Sequence, residues 1–278
     1  MKRILSIFLA LAMVFSLAGC TASDYKAAVK TMESGDYTAA SAAFKALGDY
    51  EDSAALAQQC DYLLAVALFD AERYAEAIPA FEALGGYEGS ADYVIQAKDR
   101  ILADKLVGNW TYTMELTDMM DAFVDIEDLE LPPLEMVMAL DIDENLNYTM
   151  YVDAEQTGQR IQNFIDGFGV VLLDMLRAEL APYNLTLEDA LPQLGVSSEE
   201  ELLETLLADS GLTVDILMAE MPAAESGTLE IANEVIQVIS EDITYDAGYN
   251  GETDTLTVTE TVSLSGFDME YTFEFTRK

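Results

Sequence analysis

Carboxylates are the most abundant side chains in this sequence that could act as general acids, general bases or metal ligands. It has 52 acidic residues against 13 basic ones, and it has no histidine. Histidine is the commonest general base and metal ligand near neutral pH, so catalysis would need paired carboxylates, a serine with a lysine, or a bound metal. No Ser-x-x-Lys motif follows a predicted strand and opens a helix. Among so many acids a carboxylate pair arises by chance, and finding one identifies no active site.

The most regularly spaced oxygen ligands lie in the stretch Asp141–Asn147, where Asp or Asn occupies every second position. Alternating oxygen ligands suit calcium. However, Leu146 stands where a calcium loop needs glycine, and Val152 stands where the closing glutamate belongs. A turn between two strands explains the same residues. We therefore predict a hairpin turn here, with no metal and no cofactor.

The acidic excess restricts the classes of partner. No lysine or arginine lies between Arg177 and Arg277. Binding of nucleic acid requires clustered cations that displace counterions, so this partner is excluded. The absence of a glycine-rich phosphate loop argues against nucleotide chemistry as well. A hydrophobic content of 51% still predicts a packed fold rather than a disordered chain.

The first twenty residues have the order of a secretory signal. Basic residues 2–3 precede an apolar run over residues 4–15, which is too short to span a bilayer comfortably. The sequence that follows resembles the lipobox of bacterial lipoproteins: Leu17, Ala18, Gly19 and Cys20. The resemblance implies cleavage after residue 19 and attachment of fatty acids such as palmitate to Cys20, which would anchor the protein to the membrane. Cys60 is the only other cysteine, so no disulfide is expected within the chain.

One stretch of the sequence occurs twice, 37 residues apart. Phe44–Ala54 reads FKALGDYEDSA and Phe81–Ala91 reads FEALGGYEGSA, and residues 25–61 match residues 62–98 at 15 of 37 positions. Each copy predicts two helices, the second of which carries an alanine and a phenylalanine four residues apart on one face. A repeat of this kind marks a stacked supersecondary unit.

The repeated positions resemble the tetratricopeptide repeat. The matching residues are Ala28, Tyr37, Ala40, Phe44 and Leu47, then Ala65, Tyr74, Ala77, Phe81 and Leu84. The period of 37 differs from the usual 34, and the closing proline is absent. The resemblance implies helical hairpins over residues 25–106 that dock a protein or peptide. The alternative is a spacer that holds the next domain away from the membrane.

After Leu106 the pattern changes to the alternation of half-buried strands. About eight short strands joined by polar turns predict an antiparallel barrel or sandwich over residues 107–278. Residues 155–223 instead show helical periodicity, with capping patterns at Thr186 and Ser198. The predicted fold class is α+β, with tetratricopeptide-like hairpins followed by a β domain that contains a helical insertion.

The opening Gly108-Asn109-Trp110 resembles the first strand of lipocalins and other calycins. The resemblance implies that Trp110 plugs one end of a barrel and that Arg277 packs over it. Large apolar residues of the strands would either line a ligand cavity or fill the core, and the sequence leaves both alternatives open. They are Trp110, Tyr112, Met136, Met138 and Phe273.

Together these features predict a non-enzymatic lipoprotein on the extracytoplasmic face of a bacterial cell membrane. Residues 1–19 would be the signal peptide and residues 20–24 the lipidated tether, ahead of the two domains. The partner would be a protein docked on the repeats or an apolar small molecule held by the β domain. The alternative is a hydrolase of envelope polymers that acts through carboxylates.

Replacing Cys20 tests the anchoring. Cys20→Ser is expected to leave the precursor uncleaved and unlipidated, because a serine hydroxyl cannot form the thioether that carries the lipid. Labelling of expressing cells with a radioactive fatty acid measures this directly, with Cys60→Ser as the matched control that keeps its label. Incorporation of label into the Cys20→Ser variant would contradict the lipoprotein prediction.

Overall fold

The computed structural model of the chain describes residues 21–117, 131–240, 244–264 and 267–278. The predicted signal and lipobox, Cys20 included, lie outside these residues. The described chain forms two compact units. One contains the residues up to Lys105 together with the short segment Ile231–Glu234, and the other contains Leu106–Glu230 and Val235–Lys278. The predicted α+β class is confirmed, with helical hairpins in the first unit and a β-barrel with a helical insertion in the second.

The first unit is a series of helices joined by short turns. They are α1 (residues 21–33), α2 (Tyr37–Leu47), α3 (Ser53–Asp70), α4 (Tyr74–Glu82) and α5 (Ser90–Leu106). Helix α2 begins after Asp36, whose side chain accepts a hydrogen bond from the Ala39 N–H at 3.0 Å and so caps the helix. None of the helices in the described ranges combines the length and the apolar character that crossing a membrane requires.

Two apolar clusters of the first unit use equivalent positions of the two sequence copies. Ala28, Ala40 and Phe44 are buried in the first cluster. The residues 37 positions later, Ala65, Ala77 and Phe81, are buried in the second. The small alanines let neighbouring helices approach closely, and each phenylalanine fills the space beside them. The repeated residues are therefore the ones that hold the hairpins together.

Helix α3 spans the junction between the two sequence copies. It runs without a break from Ser53 to Asp70 and passes through Tyr62, where the second sequence copy begins. The seven residues Gly48–Ala54 therefore form a turn and then the first turn of a long helix. Asp52 precedes this helix without capping it. Its side chain instead accepts a hydrogen bond from the Tyr25 hydroxyl.

The second unit contains a closed antiparallel barrel in which each strand pairs with the next and β1 pairs with β8. This order is consistent with a calycin-like barrel. The strands are β1 (Gly108–Glu115), β2 (Glu135–Ile142), β3 (Asn147–Val152), β4 (Glu225–Ala232), β5 (Val235–Ile239), β6 (Thr244–Asn250), β7 (Thr255–Leu264) and β8 (Phe267–Arg277). At the closing seam Trp110 lies opposite Arg277, and Thr111 lies opposite Thr276.

The helical insertion lies between β3 and β4. Its helices are α6 (Ala154–Leu180), α7 (Leu187–Leu194), α8 (Glu199–Ser210) and α9 (Val214–Ala219). Both predicted capping patterns are confirmed: Thr186 and Asp189 form a capping box, and Ser198 accepts from the Glu201 N–H at 3.1 Å. Two apolar clusters form its core: one around Leu191 lies within the insertion, and one around Phe164 also includes Leu134 and Leu116 from the segments next to β2 and β1.

Helix α6 replaces part of the barrel's strand ladder. Strand β3 ends at Val152, whereas β2 continues past it towards Glu135. The freed backbone groups of Val137 bond to the start of the helix: the carbonyl accepts from the Asp153 N–H at 2.9 Å, and the N–H donates to Thr157 Oγ1 at 3.0 Å. Thr157 is fully buried. Because an unpaired buried N–H is costly, these two bonds fix the helix against the barrel wall.

Truncating the two repeated phenylalanines tests the helical packing. Phe44 and Phe81 are 0% and 1% exposed, so Phe44→Ala and Phe81→Ala are each expected to lower the free energy of unfolding by ~3–5 kcal/mol. Urea unfolding of residues 21–278, followed by far-ultraviolet circular dichroism, measures the loss. Glu82→Ala, at the exposed position beside Phe81, is the control and should change stability by less than about 0.5 kcal/mol. Phenylalanine variants as stable as the control would refute this packing.

Candidate ligand-binding cavity

The interior of the barrel contains a cavity of about 220 Å³. Alternate residues of a strand point to the same face, so every second residue of each strand faces inward. Inward residues of all eight strands contribute to the wall, and β2 contributes three of them. The lining consists of Met114, Met136, Met138, Leu140, Tyr148, Met150, Pro222, Ala223, Glu225, Leu229, Val238, Tyr245, Leu256, Val258, Phe273 and Phe275. Four thioethers and four aromatic rings make this surface predominantly apolar.

The residues singled out from the sequence fall in two different places. Met136, Met138 and Phe273 line the cavity. Trp110 and Tyr112 are not among its lining residues. The Tyr112 ring instead packs edge-on against the Phe273 ring, with 5.6 Å between centroids. Trp110 is fully buried, and its indole N–H donates to the Leu106 carbonyl at 2.8 Å.

Trp110 and Arg277 close one end of the barrel together. The Arg277 guanidinium carbon lies 4.2 Å from the centre of the indole ring, which is the arrangement that the calycin resemblance implies. Arg277 Nε also donates to Asp254 at 2.9 Å, and its Nη1 donates to the Val107 carbonyl at 2.9 Å. Gly108 has a φ of +139°, and a Cβ there would lie 2.6 Å from Arg277 Nη1. A glycine at the first position of β1 therefore leaves room for the arginine.

A polar pair interrupts the apolar lining. The Tyr148 hydroxyl donates to Glu225 Oε1 at 3.0 Å, and Tyr148 is only 2% exposed. Burial raises the pKa of Tyr148 above its ordinary value, and the neighbouring Tyr245 and the hydrogen bond with Glu225 raise it further. Tyr148 therefore stays a neutral donor to the carboxylate over the physiological pH range.

Gly227 fixes the position of the Tyr148 ring. The two residues lie opposite each other on β3 and β4. A Cβ at residue 227 would stand 2.7 Å from Tyr148 Cε1 and 2.1 Å from the Ile239 carbonyl oxygen, closer than real atoms approach. Glycine is therefore required where the ring crosses β4, and this places the Tyr148 hydroxyl beside Glu225.

Sequence reasoning missed Tyr148 and Glu225 as a pair. Alternation predicts strands after the helical residues 155–223 but not where the first of them begins, and the structure starts β4 at Glu225. The signal that could have found the site is Gly227 itself, since a glycine inside a strand often marks a close approach of another group.

The stretch from Asp141 to Asn147 forms a turn between β2 and β3. The Asp143 carboxylate accepts hydrogen bonds from the N–H groups of Asn145 and Asn147 and from the Asn147 side chain, at 2.8 to 2.9 Å. Side-chain and backbone hydrogen bonds from Asn147 lower the pKa of Asp143. Over the residues that the structure describes, no group of three or more acidic or cysteine side chains is placed to hold a metal ion.

Comparison of the chain with protein-family models, with curated proteins and with solved structures gives no match in any of the three. The chemistry of the cavity is therefore the basis for inferring function. Its walls offer apolar and aromatic surface, polarisable sulfur atoms, tyrosine hydroxyls and one carboxylate among the lining residues. Such a wall can bind a small molecule that is mostly apolar and carries a single polar group.

The buried hydroxyl of Tyr148 predicts a specific loss of stability in alkali. Tyrosine in an unfolded chain releases its proton near pH 10, whereas folded Tyr148 keeps its proton to higher pH. Above about pH 10 the unfolded state binds fewer protons than the folded state, so the free energy of unfolding falls by up to about 1.4 kcal/mol per pH unit. Tyr148→Phe should remove this component and make the decline shallower.

Urea unfolding of residues 21–278 at several pH values between 8 and 11.5 measures the slope. Tyr183→Phe is the matched control, because Tyr183 is 74% exposed. The control should keep the slope of the unmodified chain. Equal slopes for Tyr148→Phe and the unmodified chain would show that Tyr148 ionises normally and is not buried as described.

Proposed function

We propose that this protein is a non-enzymatic binding protein that holds a small apolar molecule in its barrel. The amino-terminal sequence supports a location on the extracytoplasmic face of a bacterial membrane, anchored through lipid on Cys20. The barrel is the part of the chain that recognises the ligand. The observation that carries this proposal is the apolar cavity of about 220 Å³ inside a closed barrel.

The cost of an unfilled cavity supports a ligand. Apolar space inside a protein is unfavourable by about 24 cal/mol per Å³, so the 220 Å³ here would cost roughly 5 kcal/mol if left empty. Larger side chains at Val238, Val258 or Ala223 would fill it with apolar volume. Because small residues occupy these positions, the folded state is less stable than it would be with a filled core. A bound apolar molecule would restore the lost free energy of unfolding.

The size of the cavity limits the ligand. An apolar cavity of about 150 Å³ binds benzene. A cavity of about 220 Å³ therefore suits a molecule of about eight to ten non-hydrogen atoms. Methionine contributes four of the lining residues, and its flexible thioether adapts to ligands of different outline. We therefore expect a compact apolar or aromatic molecule rather than a long-chain lipid.

The other functions predicted from the sequence draw less support from the structure. Hydrolysis of a glycosidic polymer needs two carboxylates on either side of the bond that breaks. Within the part of the chain that the structure describes, the cavity lining includes one carboxylate, that of Glu225. Protein docking by the repeats stays a prediction, and it is compatible with ligand binding by the barrel.

Binding of toluene tests the proposal. Residues 21–278 are labelled with [¹³C-methyl]methionine and titrated with toluene, and the methyl resonances are followed by NMR. The four cavity methionines Met114, Met136, Met138 and Met150 should shift in a saturable way, because their methyl groups contact the ligand. Met32, which packs in the helical unit, should not shift.

A pair of variants separates filling of the cavity from general perturbation. Met150→Trp places a large ring in the cavity and should abolish the toluene-induced shifts. Thr113→Trp adds the same ring at an exposed position of β1 and should leave toluene binding intact. The proposal fails if folded, unmodified protein shows no methionine shift with toluene, since the interior would then be closed to ligands.

A further inference from the structure

We infer that the cavity selects a small organic cation, a protonated amine on an apolar body, and that Glu225 is the residue that binds its charge. This inference rests on the proposed function, because it places the ligand in the barrel cavity. It adds the chemical class of the ligand and the residues that distinguish a cation from a neutral or an anionic molecule.

Glu225 presents a carboxylate to an otherwise apolar wall. It is half-buried, lies opposite Met150 in the strand register and lines the cavity. Its Oε1 accepts the hydrogen bond from Tyr148 at 3.0 Å. A carboxylate has about four acceptor positions. Within the part of the chain that the structure describes, its donor is the neutral Tyr148 hydroxyl, which leaves acceptor capacity for an ammonium group with several N–H donors.

The basic residues of the β unit are all engaged elsewhere. Residues 107–278 contain only four of them against 37 acids. Arg160 pairs with Glu135, and Arg177 pairs with Asp174 and Glu199. Arg277 pairs with Asp254, and Lys278 pairs with Asp153.

Among the described residues, none of these four cations pairs with Glu225. A partly buried charge without a counter-ion is unfavourable because it has lost part of its hydration. A ligand that brings a positive charge into the cavity supplies the missing counter-ion. A ligand with a carboxylate would meet repulsion from Glu225 and from the acidic surface around it.

Aromatic rings add a second attraction for a cation. Tyr245 and Phe273 line the same cavity as Glu225. The face of an aromatic ring attracts an ammonium group within about 6 Å of its centre. The carboxylate and the rings together favour a charged amine over a neutral isostere, whereas the methionines bind the apolar body of either molecule.

The orientation of the carboxylate is fixed before the ligand arrives. The Tyr148 ring is buried and confined by Gly227, and its hydroxyl donates to one oxygen of Glu225. Preorganisation reduces the conformational entropy that binding would otherwise cost. We therefore expect Tyr148 to act as a positioning residue, which strengthens amine binding without contacting the charge itself.

Four probes of nearly equal size test the inference at pH 7: benzylamine, benzyl alcohol, toluene and benzoate. The unmodified chain 21–278 should bind benzylamine about tenfold more tightly than toluene, as expected for a charge-assisted hydrogen bond. Benzyl alcohol should lie between them, and benzoate should be weakest. Affinities are measured by NMR titration of the methionine methyl groups.

Two charge-neutralising variants on the same strand identify the residue responsible. Glu225→Gln should reduce or abolish the roughly tenfold preference for benzylamine over toluene, because the amide has no charge. Glu230→Gln removes the same charge from an exposed position of β4 and should keep the preference. Tyr148→Phe should weaken the preference by a smaller factor than Glu225→Gln, and Trp110 emission confirms that each variant is folded.

The outcomes separate this inference from the proposed function. Failure of all four probes to bind the unmodified chain would overturn both. Binding of toluene with no preference for benzylamine would overturn the inference alone and leave an apolar binding protein. A preference for benzylamine that survives in Glu225→Gln would also overturn it, because the charge would then be recognised elsewhere.

Discussion

The pairing of β1 with β8 joins the two ends of the β unit, and the packing of Arg277 on Trp110 holds this seam closed. The indole is buried on all sides, its N–H bonds to the Leu106 carbonyl, and the guanidinium covers its ring. Arg277 also ties the Val107 carbonyl to Asp254, so one side chain connects the segment before β1 to the turn before β7. In a closed barrel the backbone groups of β1 and β8 are paired with each other, so neither strand has a free edge. Opening this seam would expose both edges and let water into the cavity.

The interior of the barrel differs in chemical character along its axis. At the closed end, Trp110 is fully buried and fills the space, whereas the buried Leu256 and Phe275 line the cavity. Further along the barrel, flexible methionine side chains take the place of rigid rings, and a cavity remains between them. Glu225 lies where the insertion joins β4. A rigid plug at one end and adaptable side chains at the other would let the proposed ligand bind without loss of the fold. The stabilising core and the cavity wall share Leu256 and Phe275, which are buried and also line the cavity.

The sequence predicts well which face of the sheet each strand residue occupies. It predicts poorly whether an inward residue lies at the closed end of the barrel or beside the cavity. Alternation shows that Trp110 and Tyr112 share one face of β1 and that Met136 and Met138 share one face of β2, since successive side chains take opposite faces. It does not show which inward residues touch each other at the closed end and which border a cavity. That difference depends on the shear of the barrel and on side chains from other strands. Trp110 and Tyr112 were therefore grouped with Met136, although only Met136 lines the cavity.

The helical insertion supplies part of the cavity wall, and its residues can change without altering the hydrogen-bond register of the strands. Where β3 stops, Thr157 and Asp153 of the α6 start bond to Val137, and the segment before β4 brings Pro222 and Ala223 to the cavity. A one-residue slip in a strand reverses every side chain, so mutation cannot easily reshape the ladder. Loops accept insertions and substitutions more readily than strands do. Over evolutionary time, the proposed ligand preference would thus change most easily through the loops of residues 153–224, while the eight strands keep their register.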